Sequence, residues 1–579
     1  MRFVFAIICF VLAAAAMGLG IAERTVLAGP DHVSVSTTSS NASAVTIIDG
    51  SALNAYPHSQ TVQLRGGSAA FAAYGRTSDV NAWVGNTTYT RVTFNAKTHK
   101  LVSTVHSGTA TSVPDPAGSD LWLGQRSGEQ ARDFHLKVPA TVSVLAISNG
   151  ISAAPSKVTI TWPLDNSTPW SEPLIITGAG VVLLGLILLL WAFTHLRRGR
   201  GPRRSQPRMP KLPKQARYKP SRKPVTAAKG RRAISRFVAV PTTILAASVA
   251  LAGCSLFTNT PAPTTSPTAK AADTSKLAPT AVTPVQLERI MQRIGSVVAT
   301  SDSTLNADLV ASRVAGPALE DRLANHIVRK KDPKLPASVA IPSGPIDVTL
   351  PEAKTGWPRA VFAVVHNGAK TTVAPVALLL VQDDPRSNYK VNYAIALQPK
   401  TVLPEVAAAS VGTSRMAPDI GLLQIQPSAL AAAYGDILLK DAASSSYPLF
   451  QAEGDTFRNQ VGVAAHKAAL KKLPSTAKLA FSNEQGTGQI IALATVNSGA
   501  LVAVNLDEIE TVRPVKAGAA VSAPGAIKAL SGKATSRKGL VATYGDQLLF
   551  YVPSADEPGK IVLLGYAQGL IDAKEYKKK

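Results

Sequence analysis

Cysteine is nearly absent: Cys9 and Cys254 are the two thiols in 579 residues. That excludes a disulfide-stapled scaffold and a cysteine-rich metal site. Acid is scarce beside base, with 36 Asp+Glu against 61 Lys+Arg and a net charge of +25. So large an imbalance suggests a nucleic-acid partner until it is localised. Residues 196–236 alone hold sixteen Lys/Arg and no acid, whereas 23–172 balance at ten of each sign. The long segments are neutral or mildly basic, and no nucleic-acid partner is expected. Tyr218 is the lone aromatic within the basic run.

Catalytic signatures are also lacking. The chain has no Gly-x4-Gly-Lys-Ser/Thr loop, no His-Glu-x-x-His helix, no Gly-x-Ser-x-Gly elbow and no Rossmann fingerprint ahead of a helix. Ser475-Thr-Ala-Lys478 and Lys354-Thr-Gly356 match two fragments of the penicillin-binding serine acylases. They stand in the wrong order, and Ser475 follows Pro474 rather than opening a helix. Asp383-Asp384-Pro385 and Asp507-Glu508-Ile-Glu510 are the densest acidic clusters and read as solvated strand-end turns. His366-Asn367-Gly368 reads as a hairpin turn. No catalytic residue, cofactor or metal is assigned.

What is present is apolar and organised. With 46% hydrophobic residues, globular domains are expected, about three or four at ~150 residues each. Residues 1–22 contain an uncharged run, Phe3–Ala22, that reads as a signal anchor or a signal peptide. No Ala-x-Ala cleavage site follows it. Leu174–Phe193 is long enough to span a hydrocarbon core of ~30 Å, with Trp170 and Trp191 at interfacial positions. It has no polar face, as a buried core helix would. The basic loop 196–236 follows and, by the positive-inside rule, is cytoplasmic. It is too rich in Pro and too poor in apolar residues to fold, and suits the anionic headgroups of a bilayer.

Segment 237–254 opens with a fourteen-residue uncharged, mostly apolar stretch, Phe237–Ala250, behind Arg231, Arg232 and Arg236 and ahead of Leu251-Ala252-Gly253-Cys254. This resembles a bacterial lipoprotein signal with its lipobox. The resemblance implies lipidation of Cys254 and cleavage between Gly253 and Cys254. A plain third transmembrane helix is the alternative. All three segments agree on one orientation, with 30–170 and everything after Cys254 outside the cell.

Residues 30–170 alternate short apolar runs with turn residues. Ala44–Ile48, Thr61–Leu64, Ala69–Tyr74, Asn81–Val84, Tyr89–Phe94, Lys100–Val105, Phe134–Val138, Val142–Ile147 and Lys157–Trp162 read as strands of an all-β sandwich, immunoglobulin-like or jelly-roll-like, without helices. Trp83 and Trp122 are assigned to its core, with a ligand surface as the alternative. Asp79, Asp120 and Asp133 form no recognisable calcium loop.

Residues 255–283, rich in Pro, Thr and Ala, read as a disordered linker reaching up to ~90 Å. Residues 284–420 and 427–570 read as a diverged duplication, with 571–579 a polar tail. Pro284 and Pro427 each open a helix, on which Leu287, Ile290, Met291, Ile294 and Val298, then Leu430, Tyr434, Ile437 and Leu438, share a face. Asp308, Val314 and Leu323 match Asp455, Val461 and Leu470 at a constant offset of 147. Strand runs follow each time. Two helices and an antiparallel sheet, repeated, resemble tandem NTF2-like domains, a fold whose pocket serves enzymes, carriers and scaffolds alike.

The composition resembles envelope proteins of actinobacteria. The expected whole is a multidomain bacterial membrane protein: an all-β outer domain, transmembrane helices, and an α+β tandem NTF2-like domain. The expected function is a non-enzymatic binding or scaffold module whose partners are the bilayer and an envelope protein or glycan. The alternatives are an envelope enzyme acting on a glycan or lipid-linked substrate through an acid such as Asp455, and a component of a transport or secretion complex.

Overall fold

The computed structural model describes residues 2–39, 43–67, 71–198, 278–366, 368 and 373–577. Gly253, Cys254, the third apolar segment, the linker up to residue 277 and nearly all of the basic loop lie outside the described residues. The chain divides into two compact units, 1–28 with 167–272, and 29–166 with 273–579.

In the first unit, helices Arg2–Thr25 and Ser171–Arg198 pack antiparallel. Phe3 meets Phe193 edge-on at 5.8 Å. A Cβ at Gly178 would collide with the Met17 side chain, and one at Gly20 would lie 2.9 Å from Ile175 Cγ1. Small residues at the contact let the two backbones approach. Phe3–Thr25 and Ser171–Arg197 are each long and apolar enough to cross a membrane. Their outward residues, such as Ile7, Leu183 and Trp191, are exposed.

In the second unit, residues 29–166 form a two-sheet module. One sheet is ordered His32–Thr38, Lys157–Pro163, Gln60–Arg65, Asp133–Leu136, all antiparallel. The other runs Lys100–His106, Tyr89–Asn95, Val45–Ile48, Val142–Ile147, Phe71–Arg76, Gly124–Ser127, with its second and third strands parallel. Alternate residues point inward, so Val62, Leu64, Val158 and Ile160 of the first sheet bury against Ile48, Val92, Val144 and Ala146 of the second. Trp162 closes this core and donates its ring N–H to the Leu53 carbonyl at 2.8 Å.

One expected strand is a helix. Thr77–Val84 is helical because Val80, Trp83 and Val84 fall at i, i+3 and i+4 and all three bury on one side.

Residues 278–577 make a helix-and-sheet domain. Helices Pro284–Thr304, Ala307–Ala311 and Gly316–Lys331 precede strands Ile346–Pro351, Arg359–Val365, Val376–Gln382 and Lys390–Leu397. Helices Pro427–Lys440, Thr456–Val461 and Val463–Lys471 precede the second set. The helix-then-sheet order therefore repeats. Both halves share one ten-stranded sheet, stitched where Ala396 and Leu397 pair with Tyr566 and Gly565.

Each half buries its helices on one sheet face. Leu287, Met291 and Ile294 pack on Val361, Leu378 and Leu380. Leu430, Tyr434 and Ile437 pack on Val502, Leu506 and Phe550. The opposite faces of the two halves meet in a third core of Phe362, Leu379, Ile395, Leu493, Leu501 and Leu549. Thr283 caps the first helix in a reciprocal box with Gln286, and Pro284 fills its first turn.

Three boundaries are corrected. The linker ends before Thr280, which bridges to Ala353, and Ala281 and Val282 are buried. Ala500–Pro514 is one strand, so the Asp507–Glu510 cluster lies mid-strand rather than in a turn. Its partner strands bury Glu508 against expectation. The polar tail starts later than 571, because Val562–Glu575 is a single strand paired along its length with Leu540–Val552.

Candidate interface between the two-sheet module and the helix-and-sheet domain

Two carboxylates of the two-sheet module are taken up by arginines of the other domain. Asp120 is 1% exposed and follows the turn at Pro116–Gly118. Arg313 Nη1 lies 2.5 Å from its Oδ2, and Arg293 Nη1 3.3 Å from its Oδ1. The Tyr389 backbone N–H donates to Oδ2 at 3.0 Å, and Asn388 Oδ1 accepts from the Asp120 N–H at 2.9 Å. Asp79, in the first turn of Thr77–Val84, pairs with Arg359 at 2.7 Å and with Arg76 at 3.6 Å. Arg359 is fully buried and stacks over the Trp357 ring at 3.8 Å. Burial and the Arg359 guanidinium draw the Arg76 pKa below its usual value.

Hydrogen bonds to backbone carbonyls surround these pairs. Gln286 Nε2 donates to the carbonyls of Asp120 at 2.6 Å and Leu121 at 3.1 Å. Arg289 donates to the Trp122 carbonyl at 2.9 Å, and Arg386 to the Trp83 carbonyl at 2.8 Å. Trp83 and Trp122 meet edge-on at 5.4 Å in a core that Trp357 of the other domain helps cover. Both are buried, as the core assignment expected. Such an arrangement holds two domains together with defined register. Breaking one partner of a buried ion pair strands the other charge at a cost of about 3–5 kcal/mol.

The sequence did not single out Asp79 and Asp120 as joints. Each lies within four residues of a tryptophan in a chain with few aromatics, the one local signal available. Asp133 instead accepts from Gln63 Nε2 at 3.0 Å within its own module.

A second polar group lies on the helix-covered face of the last repeat. Glu508 and Asp546, on neighbouring strands, are 4% and 0% exposed. His466 Nε2 stands 3.7 Å from Glu508, its ring stacked on Phe481 at 3.8 Å. Gln568 Nε2 donates to Asp546 Oδ1 at 2.9 Å. Glu508 Oε2 and Asp546 Oδ2 find no donor among the described residues. Burial first, and then the Glu508 charge, push the Asp546 carboxyl well above the usual range and raise Glu510 as well. Burial, Glu320 and Glu484 push Asp507 up to about 6. Asp546, Glu510 and Asp507 thus keep their protons to higher pH than ordinary carboxyls. Among the described residues, no set of three or more His, Cys, Asp or Glu is arranged to hold a metal ion.

The other expected residues are scattered. Asp455 is no free acid: it caps Thr456–Val461, accepting the Arg458 N–H at 2.9 Å and the Tyr434 hydroxyl at 2.8 Å. Ser475 lies in an exposed turn, and Lys354 stands 3.9 Å from Glu352. Asp384 caps the turn that carries Ser387, and His366 pairs with Asp347.

No curated protein and no solved structure matches the chain. Residues 278–575, just over half of the chain and nearly the whole helix-and-sheet domain, match the family described as Domain of unknown function (DUF8094). The chain belongs to the DUF8094 family.

Proposed function

We propose that this chain is a membrane-tethered, extracytoplasmic scaffold or binding module of a bacterial envelope, rather than an enzyme. The observation that carries the reading is the joint itself: Asp120 with Arg313, and Asp79 with Arg359, tie the two-sheet module to the helix-and-sheet domain. Burying four charges in defined geometry sets the orientation of two domains, which is what a scaffold needs.

The joint also supports the topology read from charge. Domains that dock must lie on the same side of the bilayer. The chain between them then crosses an even number of times: once through Ser171–Arg198 and once back through Phe237–Ala250. The return ends at Cys254, where the lipobox places the lipid. On this reading the two-sheet module is a sandwich of immunoglobulin-like or jelly-roll-like kind. The helix-and-sheet domain is a tandem NTF2-like pair, anchored through Cys254 and held on the sandwich after cleavage.

The tagged chain pulled from gently solubilised envelopes tests the function. An envelope protein or glycan recovered by the native chain and lost with Asp79→Ala/Asp120→Ala is expected. Recovery of neither partner by the native chain contradicts the reading. A C-terminal tag followed with and without a lipoprotein signal-peptidase inhibitor tests Cys254: the tagged band is expected near half length and shifts to full length under inhibitor.

A second reading, an envelope enzyme, has one observation in its favour: the buried Glu508, Asp546 and His466 group. Glu508→Gln with the phenotype unchanged removes that support.

A further inference from the structure

The longest strands of the helix-and-sheet domain end together, and their ends are basic. Arg513 lies at the end of Ala500–Pro514, Lys538 just before Leu540–Val552, and Lys577 just after Val562–Glu575. Register brings them side by side, since Val512 pairs with Leu540 and Leu540 with Glu575. Lys478 on the outer strand stands opposite Arg513. Residues 511–545 contain six Lys/Arg and no Asp or Glu. The basic residues thus gather at the ends of strands that carry Asp507, Glu508, Glu510 and Asp546 farther along.

These ends enclose an open concavity of about 920 Å³, lined by Arg513, Pro514, Val515, Lys538, Tyr576 and Lys577. Arg513 is positioned rather than loose. Its guanidinium lies over the Tyr576 ring at 4.9 Å and donates to the Tyr576 hydroxyl at 3.4 Å. Among the described residues the acid paired with these cations is Glu575, 3.8 Å from Lys538 Nζ and accepting the Ser536 hydroxyl at 2.8 Å. One carboxylate against three converging cations leaves the site positive. A planar guanidinium fork beside mobile ammonium groups matches phosphate oxygens.

We propose that this strand-end concavity binds a phosphate-bearing ligand, and its volume has room for more than one phosphate group. The inference does not depend on the domain joint or on Cys254 processing, and the variants below leave Asp79 and Asp120 in place.

The test uses the full chain in phosphatidylcholine nanodiscs. Binding is measured to inorganic phosphate, to linear polyphosphate and to phosphatidylglycerol vesicles. Native protein is compared with Arg513→Gln/Lys538→Gln and with a charge-matched control, Lys97→Gln/Lys100→Gln. Losing two charge-assisted contacts is expected to weaken binding about tenfold or more, while the control binds as native. Loss in the phosphate or polyphosphate arm assigns a soluble phosphate ligand, and loss confined to the vesicle arm assigns a lipid headgroup. Native protein that binds none of the three probes overturns the proposal. So does a control that weakens binding as much as the pocket variant.

Discussion

Arg313 and Asp120 are 193 positions apart in the chain and 2.5 Å apart in space. Between them run the apolar helix Ser171–Arg198, the basic run to Arg236 and the uncharged stretch Phe237–Ala250. The chain thus leaves one folded module, passes through a membrane-type stretch, and returns to dock on the module it left.

Asp120→Ala removes the partner of a nearly buried guanidinium and the acceptor of the Tyr389 N–H. The expected loss is about 3–5 kcal/mol, read as a drop in the denaturant midpoint of the full chain.

Asp79→Ala strands Arg359, which is fully buried. A similar loss is expected. Asp79→Leu/Arg359→Met is expected to recover part of it, because an apolar pair carries no desolvation cost. A double variant no better than the single one contradicts a direct coupling.

Gly565 lies where the two halves of the long sheet join. A Cβ there would lie 2.5 Å from the Ala396 carbonyl oxygen. Gly565→Val is expected to part the strands at a cost of about 1–3 kcal/mol. Hydrogen exchange checks it, with faster exchange expected at the Gln398 N–H, which donates to the Leu564 carbonyl.

The acidic strand predicts a pH dependence. A carboxyl held above its ordinary value stays neutral in the fold over a range where the unfolded chain has already ionised. Its contribution is full below the unfolded value and is lost as pH rises. For Asp507 the loss runs from about 4 to about 6. For Asp546 it continues above the ordinary carboxylate range. Asp546→Asn keeps the Gln568 hydrogen bond and removes the charge. It is expected to stabilise the protein at neutral pH and to flatten this slope in thermal melts.

Much of the architecture was legible in the residues. Pro284 and Pro427 mark helix starts because a ring without an N–H costs nothing in a first turn. Val376–Val381 reads as a strand because it is an unbroken apolar run, and the strand Val376–Gln382 is buried on both faces. The long strand Ala500–Pro514 reads as shorter because Asp507 and Glu508 look like turn chemistry locally. Pairing with neighbours on both sides overrides that local preference. Asn81–Val84 reads as a strand because the helix that contains it, Thr77–Val84, holds barely two turns. The joint itself was not legible, since Asp79–Arg359 and Asp120–Arg313 depend on contacts that no local pattern encodes.

The central claim is that the helix-and-sheet domain is held on the two-sheet module by these pairs rather than by the chain between them. A site-specific protease sequence inserted between Thr264 and Thr265 of a Cys254→Ser chain, whose lipobox is no longer processed, allows the full-length protein to be cut in detergent. The two fragments are expected to elute together in size exclusion at physiological salt, and to separate in Asp79→Ala/Asp120→Ala. Native fragments that separate on cutting would contradict the account.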